Sequence, residues 1–292
     1  MLNINELKKY PIIYIIGHRH MDADTVISSY LLSKILNKQG IKCEYAILDK
    51  DYNIVYGDYD LIKDNVTNYK PTVIKKENIN NNYFILVDHN DPLQSIDNEK
   101  NVVGMIDHHF IDKKQPNYLI GDYASTSLFI YQLYKNTYDF SDYEKALILY
   151  TVLSDTTYFI SSRYKEKDDQ IVKELNEKTN LNFEVLKRKY FKTTDFSIDI
   201  ETNFKSNYKR YKFDDLEFES SFVRANREDD KYLNEYLEYL KKIPQNWLFI
   251  WYQFDDNISN AYFKNNNVIK EINYDYIASR ANDVIKDIVE IK

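Results

Sequence analysis

Cysteine, glycine and long apolar stretches are scarce in this chain of 292 residues. The single cysteine, Cys43, excludes a disulfide within the chain, and the absence of disulfides is typical of cytoplasmic proteins. No segment reaches the ~18 consecutive apolar residues that a membrane span needs. The first residues, MLNINELKKY, predict neither a signal peptide nor an anchor. We therefore expect a cytoplasmic protein without a membrane partner.

A surplus of positive charge is also missing, because 46 Asp and Glu residues outnumber 39 Lys and Arg residues. Proteins that bind nucleic acid usually carry a basic surface, so we expect no nucleic-acid partner. A small anionic substrate remains compatible with the charge of −7, since bound metal ions supply positive charge locally. Only five glycines are present and none follows Gly121, so many turns must use Asn or Asp.

Apolar runs alternate with helical patterns over the first two thirds of the chain. The predicted strands there are 11–16, 41–48, 83–87 and 102–106, and the predicted helices are 24–39, 125–136, 142–153 and 166–192. This alternation predicts an α/β fold with a doubly wound parallel sheet in residues 1–192. A polar linker at 193–203 leads to a smaller α/β domain, 204–292. Its predicted strands are 216–223, 247–254 and 259–264, and its predicted helices are 228–242 and 276–291.

All five histidines lie in three short, acid-rich segments. The segments are GHRHMDADT (17–25), LVDHND (86–91) and MIDHHFID (105–112). Neighbouring imidazole and carboxylate groups are typical of transition-metal sites. Each segment follows an apolar run, and in open parallel sheets the binding site lies outside the carboxyl ends of the strands. The pattern therefore predicts a metal-dependent hydrolase with its site at that edge of the sheet.

The candidate metal ligands are His18, Asp22, Asp24, Asp88, His108 and Asp155. Asp88 follows a strand and is well placed to bridge two ions. Asp24 taken alone could instead cap a helix, and Asp155, at the end of ALILYTVLSD, could cap the segment that follows. His89 and Asn90 could orient the ligands, which metal sites require, and Asn90 is also a candidate substrate contact.

Nitrogen and oxygen donors without a thiolate suit Mn²⁺, Co²⁺ or Mg²⁺ better than a structural Zn²⁺. Two such ions about 3.5–4 Å apart can clamp an in-line displacement at phosphorus. The adjacent His108 and His109 point in different directions, so one could bind metal while the other faces the substrate. Charge that develops on the phosphoryl oxygens needs Lys or Arg from elsewhere in the chain.

GHRHMDAD, LVDHND, IDHH and LSDTTYF, in this order and spacing, resemble the four motifs of the DHH phosphoesterase superfamily. They are most similar to the family II, manganese-dependent inorganic pyrophosphatases, because Gly17 and His18 match a motif that begins G-H rather than the G-N of exopolyphosphatase relatives. PLQSID after the second motif is also similar. His20, Met21 and Thr25 replace the family's asparagine, proline and serine, which we expect to tune only site rigidity or metal preference. The resemblance covers residues 11–190.

The resemblance implies an active site between a DHH metal-binding catalytic domain and a C-terminal substrate-binding domain. One Mn²⁺ would take His18, Asp22, Asp88 and Asp155, and the second would take Asp24, Asp88, His108 and Asp155. Further Mg²⁺ would enter with the substrate, and a hydroxide between the two ions would attack it. His109 would contact phosphate and could protonate the leaving group. Relatives are often homodimers, so a homodimer is expected here as well.

The resemblance is weaker from residue 195 to 292, where the family has a lysine near the start of the domain and an S-R-K-K signature near its end. Ser279 and Arg280 match that signature, but Ala281 and Asn282 replace its two lysines. Lys209 is our candidate for the first lysine. The alternatives are Lys205, Arg210 and Lys212. Ser279, Arg280 and Lys209 would bind the phosphates.

These features lead to three functional hypotheses. The first is hydrolysis of inorganic diphosphate to two phosphates. The altered C-terminal cations motivate the second, a short-chain polyphosphate or nucleotide phosphoanhydride hydrolase of the same superfamily. A nanoRNase or cyclic-dinucleotide phosphodiesterase fits poorly, because those relatives carry a glycine-rich C-terminal motif. The third hypothesis is a catalytically silent metal-binding partner protein.

Overall fold

The apolar run PIIYII supplies an inner strand of a parallel sheet in the computed structural model, which describes residues 1–48, 52–67, 69–109, 117–213, 216–266 and 268–290. The chain divides into two compact units, Met1–Phe159 with Arg163–Tyr190, and Ile160–Ser162 with Phe191–Lys292. The predicted domain boundary after residue 192 lies near this division, and the linker stays a prediction. Residues 110–112 of the third histidine segment, 267 and 291 lie outside the described part of the chain.

The first unit is an α/β fold, as predicted. Its strands are β1 (Ile13–Ile16), β2 (His20–Met21), β3 (Cys43–Leu48), β4 (Asn53–Ile54), β5 (Thr72–Ile74), β6 (Tyr83–Val87), β7 (Val102–Asp107) and β8 (Tyr118–Ile120). Its helices are α1 (Ile4–Leu7), α2 (Ala23–Lys38), α3 (Tyr56–Asn65), α4 (Thr126–Tyr134), α5 (Asp142–Asp155), α6 (Glu166–Thr179) and α7 (Phe183–Tyr190), with 3₁₀ turns at Lys76–Asn81 and Pro92–Gln94. The sheet order is β5-β3-β1-β6-β7-β8, with parallel neighbours throughout. The order therefore reverses between β1 and β6.

Side chains of the central strands alternate between the two faces of this sheet. Ile13 and Ile15 pack in the core that includes α2, α4 and α5, whereas Ile16 packs on the opposite face with Phe84 and Leu86. Strands that are buried on both faces carry continuous apolar runs, which is why the sequence pattern located them. Among the described residues, no helix has the length and hydropathy needed to cross a bilayer.

The second unit is a smaller mixed sheet with helices, again as predicted. Its strands are β9 (Lys209–Phe213), β10 (Leu216–Ala225), β11 (Trp247–Gln253), β12 (Ile258–Asn265) and β13 (Val268–Tyr274), and its helices are α8 (Ile200–Ser206), α9 (Leu233–Lys241) and α10 (Lys286–Glu290). A 3₁₀ segment, Arg227–Tyr232, precedes α9, and a π-helix, Arg280–Ile285, precedes α10. The sheet order is β13-β12-β11-β10-β9, and β10 and β11 are its parallel pair.

Two helix predictions were wrong in part. The stretch 166–192 is two helices, α6 and α7, because Asn180 adopts a left-handed backbone (φ 51°) that ends the first. The predicted helix 276–291 begins only at Arg280. Ser279 precedes it with an extended backbone, and its hydroxyl caps the first turn by accepting the Asn282 N–H.

Candidate metal centre

The predicted ligands lie where the central strands of the first unit end. His18 follows β1, Asp88 follows β6 and His108 follows β7, while Asp155 is the last residue of α5. A reversal of strand order opens a crevice at the carboxyl ends of the two strands involved, and here those strands are β1 and β6. The fold therefore gathers segments that are distant in sequence at one edge of the sheet.

His18, Asp22 and Asp88 form the first group of donors, and their ligand atoms lie within 4.8 Å of one another. His18 Nε2 is 3.2 Å from Asp22 Oδ2 and 3.2 Å from Asp88 Oδ2. Asp22 also caps α2 by accepting the Thr25 N–H at 2.9 Å through Oδ1. The N-cap of α2 is thus Asp22 and not Asp24.

The second group consists of Asp24, Asp88, His108 and Asp155. His108 Nε2 lies 3.9 Å from Asp24 Oδ2, 3.3 Å from Asp88 Oδ1 and 3.4 Å from Asp155 Oδ2. The other ring nitrogen, Nδ1, lies 3.0 Å from the Tyr123 carbonyl oxygen, which can only accept. His108 therefore carries its proton on Nδ1 and turns the Nε2 lone pair toward the carboxylates.

Asp88 belongs to both of these groups and also to a third, with Asp107, His108 and His109. It reaches His18 with Oδ2 and His108 with Oδ1. Its backbone is left-handed (φ 61°), a conformation that aspartate tolerates better than most residues. Thr25 Oγ1 donates to Asp88 Oδ2 at 2.7 Å, and Thr126 Oγ1 donates to Oδ1 at 3.4 Å. This geometry suits the bridging role that the sequence predicted for Asp88.

The Asp24 carboxylate is held at the N-terminus of α4. It accepts the Thr126 N–H at 2.6 Å, the Ser127 N–H at 2.9 Å and the Ser127 hydroxyl at 2.6 Å. The positive end of the helix dipole favours a negative group at this position. Sequence reasoning missed Thr126 and Ser127, although the Ser-Thr-Ser run before an apolar helix is a recognisable N-terminal signal.

Asp107 orients His109, the residue predicted to face the substrate. Its Oδ1 accepts the His109 Nδ1–H at 2.8 Å and the His108 backbone N–H at 2.8 Å. Its Oδ2 accepts a 2.8 Å hydrogen bond from Asn90 Nδ2. Asn90 thus acts on His109 through Asp107, as an orienting residue, and its direct contact with substrate stays a prediction.

His89 is buried and lies outside both groups of donors. Its Nδ1 donates to the Val87 carbonyl at 2.8 Å, and its Nε2 accepts the Ser95 hydroxyl at 2.7 Å. Burial lowers the pKa of His89 to about 4, so the ring stays neutral and structural. Arg19 joins this loop to the first histidine segment by donating to the Leu93 carbonyl at 3.1 Å and the Ser95 carbonyl at 2.5 Å.

The concentration of carboxylates shifts their protonation. Burial and the charge of Asp88 raise the pKa of Asp24 to about 7. Burial and the neighbouring Asp24 raise the pKa of Asp155 well above its usual range. Burial also opposes ionisation of Asp88, but the histidines around it outweigh burial and lower that pKa. A divalent cation among these groups would remove the mutual repulsion.

Sequence reasoning also missed Arg163, eight residues after Asp155. Its Nη1 lies 3.2 Å from His108 Nε2 and 3.5 Å from Asp155 Oδ2, and its side chain is only 11% exposed. The arginine lies close to the last acidic motif in sequence. That proximity was the only sequence signal available for finding it.

The predicted phosphate-binding residues Ser279, Arg280 and Lys209 belong to the second unit. Arg280 Nη1 donates to the Asn207 carbonyl at 2.7 Å, and its guanidinium lies 5.1 Å from the centre of the Phe222 ring. Lys209 is half-buried and begins β9, two residues after Asn207. The fold thus brings Arg280 to the segment that leads into Lys209. Their contact with substrate stays a prediction.

Residues 12–155 match the family described as "DHH family, N-terminal domain". About half of the chain is thus similar to this family domain. Among curated proteins, a probable manganese-dependent inorganic pyrophosphatase of Clostridium acetobutylicum is 28% identical over 245 residues, covering 79% of this chain and 76% of that protein. The manganese-dependent inorganic pyrophosphatase of Bacillus subtilis is 30% identical over 172 residues, 56% of this chain and 54% of its own length. The resemblance to the DHH superfamily is therefore confirmed.

The structure of the chain is also similar to a solved structure. A candidate family II inorganic pyrophosphatase of Methanococcus jannaschii superposes with a TM-score of 0.76 at 19% identity, covering 94% of this chain and 97% of that one. The likeness extends over both units and confirms the predicted fold class. It carries no statement about activity, because sequence identity is this low.

Proposed function

We propose that this chain hydrolyses inorganic diphosphate to two phosphates and uses manganese to do so. The observation that carries the proposal is the pair of donor groups that share Asp88 in the DHH-family domain. The similarity to proteins named manganese-dependent inorganic pyrophosphatases supports the choice of substrate and metal.

The donor set fits divalent cations. Three carboxylate oxygens lie within 3.9 Å of His108 Nε2, whose lone pair faces them. Oxygens and a nitrogen lone pair at such distances repel one another, and a divalent cation among them would remove that repulsion. Nitrogen and oxygen donors without a thiolate suit Mn²⁺, Co²⁺ or Mg²⁺.

One ion would be held by His18, Asp22 and Asp88, and the other by Asp24, Asp88, His108 and Asp155. When bound, such a pair supplies Lewis acidity toward a phosphoryl oxygen and acidifies a water held between the ions. Asp155 joins only the second group within the described residues. Its share in the first ion and the entry of Mg²⁺ with the substrate stay predictions.

The protein's own contribution is to position groups around the phosphate. Asp107 accepts a hydrogen bond from His109 Nδ1–H, and its carboxylate favours the protonated ring, whose second proton lies on Nε2 and could pass to the leaving phosphate oxygen. Arg280, Lys209 and Ser279 would bind the phosphoryl oxygens. The planar guanidinium of Arg280 suits these oxygens best, because it can donate two parallel hydrogen bonds.

Release of phosphate from diphosphate in the presence of Mn²⁺ tests the proposal. We expect turnover by the unmodified chain and a loss of about 10²-fold or more in Asp155→Ala, which removes a donor of the second group. Asp139→Ala, at an exposed carboxylate of the same unit, should behave like the unmodified chain. Release no faster than that of Asp155→Ala would refute the proposal.

A second candidate is a hydrolase of longer phosphoanhydrides. The observation that favours it lies at the start of the π-helix, where Ala281 and Asn282 replace the family's lysines. There the Asp283 carboxylate accepts the Ser279 N–H at 2.8 Å and the Ser162 hydroxyl. A carboxylate at this position weakens the attraction for a small, highly charged anion. Comparing kcat/KM for diphosphate, tripolyphosphate and nucleoside tetraphosphates separates the two candidates.

A further inference from the structure

Arg163 places a positive charge inside the candidate metal centre. Its Nη1 lies 3.2 Å from His108 Nε2 and 3.5 Å from Asp155 Oδ2, so it contacts two members of the second donor group. The side chain is 11% exposed, whereas Arg188 on α7 is exposed. Arg163 is therefore a buried part of the site.

The contact between Arg163 and His108 has a defined direction. His108 Nδ1–H donates a hydrogen bond to the Tyr123 carbonyl oxygen, so Nε2 can only accept one. The guanidinium can only donate. Arg163 thus uses the same lone pair that a metal ion would use, and the two cations cannot occupy it together.

The segment around Arg163 is held in place by packing and hydrogen bonds. The Tyr164 ring lies 4.6 Å from the Phe159 ring, and its hydroxyl donates to Asp169 Oδ1 at 3.1 Å. The next residue, Lys165, donates its backbone N–H to Asp168 Oδ2 at 3.1 Å, at the start of α6. The backbone that carries the guanidinium is fixed, so metal binding would have to move the side chain.

We propose that Arg163 is a phosphate-binding residue of this site: it donates to His108 while no metal is bound, and to a phosphoryl oxygen of the substrate once metal takes that lone pair. The inference rests on the proposed function. Divalent ions would take the His108 and Asp155 donors that Arg163 contacts, and a phosphoanhydride attracted by those ions would offer the displaced guanidinium new oxygen acceptors.

The first experiment measures Mn²⁺ binding to the metal-free chain by isothermal titration calorimetry. Removing the competing cation in Arg163→Gln should tighten Mn²⁺ binding by about tenfold, because like charges a few ångströms apart repel strongly in a buried site. Arg188→Gln makes the same chemical change at an exposed position of the same unit and should leave the affinity unchanged.

The second experiment measures the binding of imidodiphosphate, a diphosphate analogue that resists hydrolysis, to the Mn²⁺-saturated chain. Arg163→Gln should weaken this binding by about tenfold, since a charge-assisted pair is lost. Arg163→Lys keeps the charge without the two-pronged geometry, so it should lose less affinity. Arg163→Lys also provides a second measurement if Arg163→Gln does not fold.

Tighter Mn²⁺ binding together with weaker analogue binding supports the inference. Unchanged analogue affinity in Arg163→Gln overturns the phosphate-binding role, as does a Mn²⁺-loaded chain that does not bind imidodiphosphate. Unchanged Mn²⁺ affinity overturns the competition for His108. Neither measurement requires turnover. Failure to hydrolyse diphosphate would therefore count against the proposed function, whereas the two binding measurements test the role of Arg163 separately.

Discussion

Thr25 donates a hydrogen bond of 2.7 Å to Asp88, although 63 residues separate the two in sequence. Thr25 lies in the first turn of α2, and its methyl carbon fills the space beside Gly17. A Cβ added to Gly17 would lie 2.2 Å from that methyl carbon. The threonine that replaces the family's serine and the glycine of the first motif therefore pack as one unit beside the shared ligand.

The Thr25 hydroxyl should matter more than its methyl group. Thr25→Val keeps the shape but leaves Asp88 without this donor, so Mn²⁺ affinity should fall about tenfold, as for other residues that orient metal ligands. Thr25→Ser keeps the hydroxyl and should bind Mn²⁺ within a few-fold of the unmodified chain. Calorimetric titration of both variants checks this. Equal affinities for valine and serine would show that the hydrogen bond has no effect.

Gly17→Ala should destabilise the first unit, since the new methyl group overlaps the Thr25 side chain. We expect a loss of ~1–3 kcal/mol in the free energy of unfolding, the usual range for overpacking. Combining it with Thr25→Ser should restore most of the loss, because the nearest remaining atoms would be Cβ at 3.1 Å and Oγ at 3.3 Å. Urea unfolding of the two single variants and the double variant measures the coupling. Additive effects would contradict this packing argument.

Asp58 connects two ligand-bearing segments. Its Oδ2 accepts the Ala23 N–H at 3.0 Å, between Asp22 and Asp24, and its Oδ1 accepts the Ser154 hydroxyl at 2.6 Å, beside Asp155. In Asp58→Asn, an amide nitrogen replaces one carboxylate oxygen, and that nitrogen cannot accept a hydrogen bond. We expect ~1–3 kcal/mol less stability in urea and weaker Mn²⁺ binding. The matched control is Asp139→Asn at an exposed position. If Asp58→Asn were as stable as this control, the prediction would be contradicted.

Glu144 should make the first unit sensitive to acid. Burial opposes its ionisation, but hydrogen bonds from Lys34 and Ser141 outweigh burial and hold the pKa of Glu144 below its ordinary 4.5. The folded pKa is the lower one, so the stabilisation is complete above pH 4.5 and is lost as the pH falls through the folded value.

Glu144→Gln should therefore lower stability at pH 7 by ~1.5–3 kcal/mol, as expected for hydrogen bonds to a charged group. The difference from the unmodified chain should shrink as the pH falls below 4.5 and through the folded pKa. Urea unfolding at a series of pH values from 7 downward measures it, with the exposed Glu177→Gln as control. A difference that does not change with pH would exclude the ionised carboxylate as its source.

The sequence predicted the inner strands well because burial on both faces leaves an unambiguous apolar run. It did not predict β13, whose residues Val268–Lys270 are exposed and carry no such run. It also missed α3 and α8. It extended the helix 166–192 through Asn180, because asparagine can take the left-handed conformation without a break in the apolar pattern.

Candidate ligands were predictable because histidine and aspartate cluster around strand ends. Arg163 was not, since its partner His108 lies 55 residues away and only the folded chain brings them together. Asp58 was missed for the same reason, as its contacts with Ala23 and Ser154 span 35 and 96 residues. Local patterns mark which residues can bind a metal, and tertiary contacts decide which residues hold them in place.

The shared position of Asp88 in both donor groups has a consequence for biosynthesis. The first group is complete in sequence once residue 88 has left the ribosome, but the second requires Asp155, at the end of α5. A nascent chain therefore cannot assemble the whole centre until about half of its length has been translated. Metal could therefore occupy all of these donors only after Asp155 has been translated.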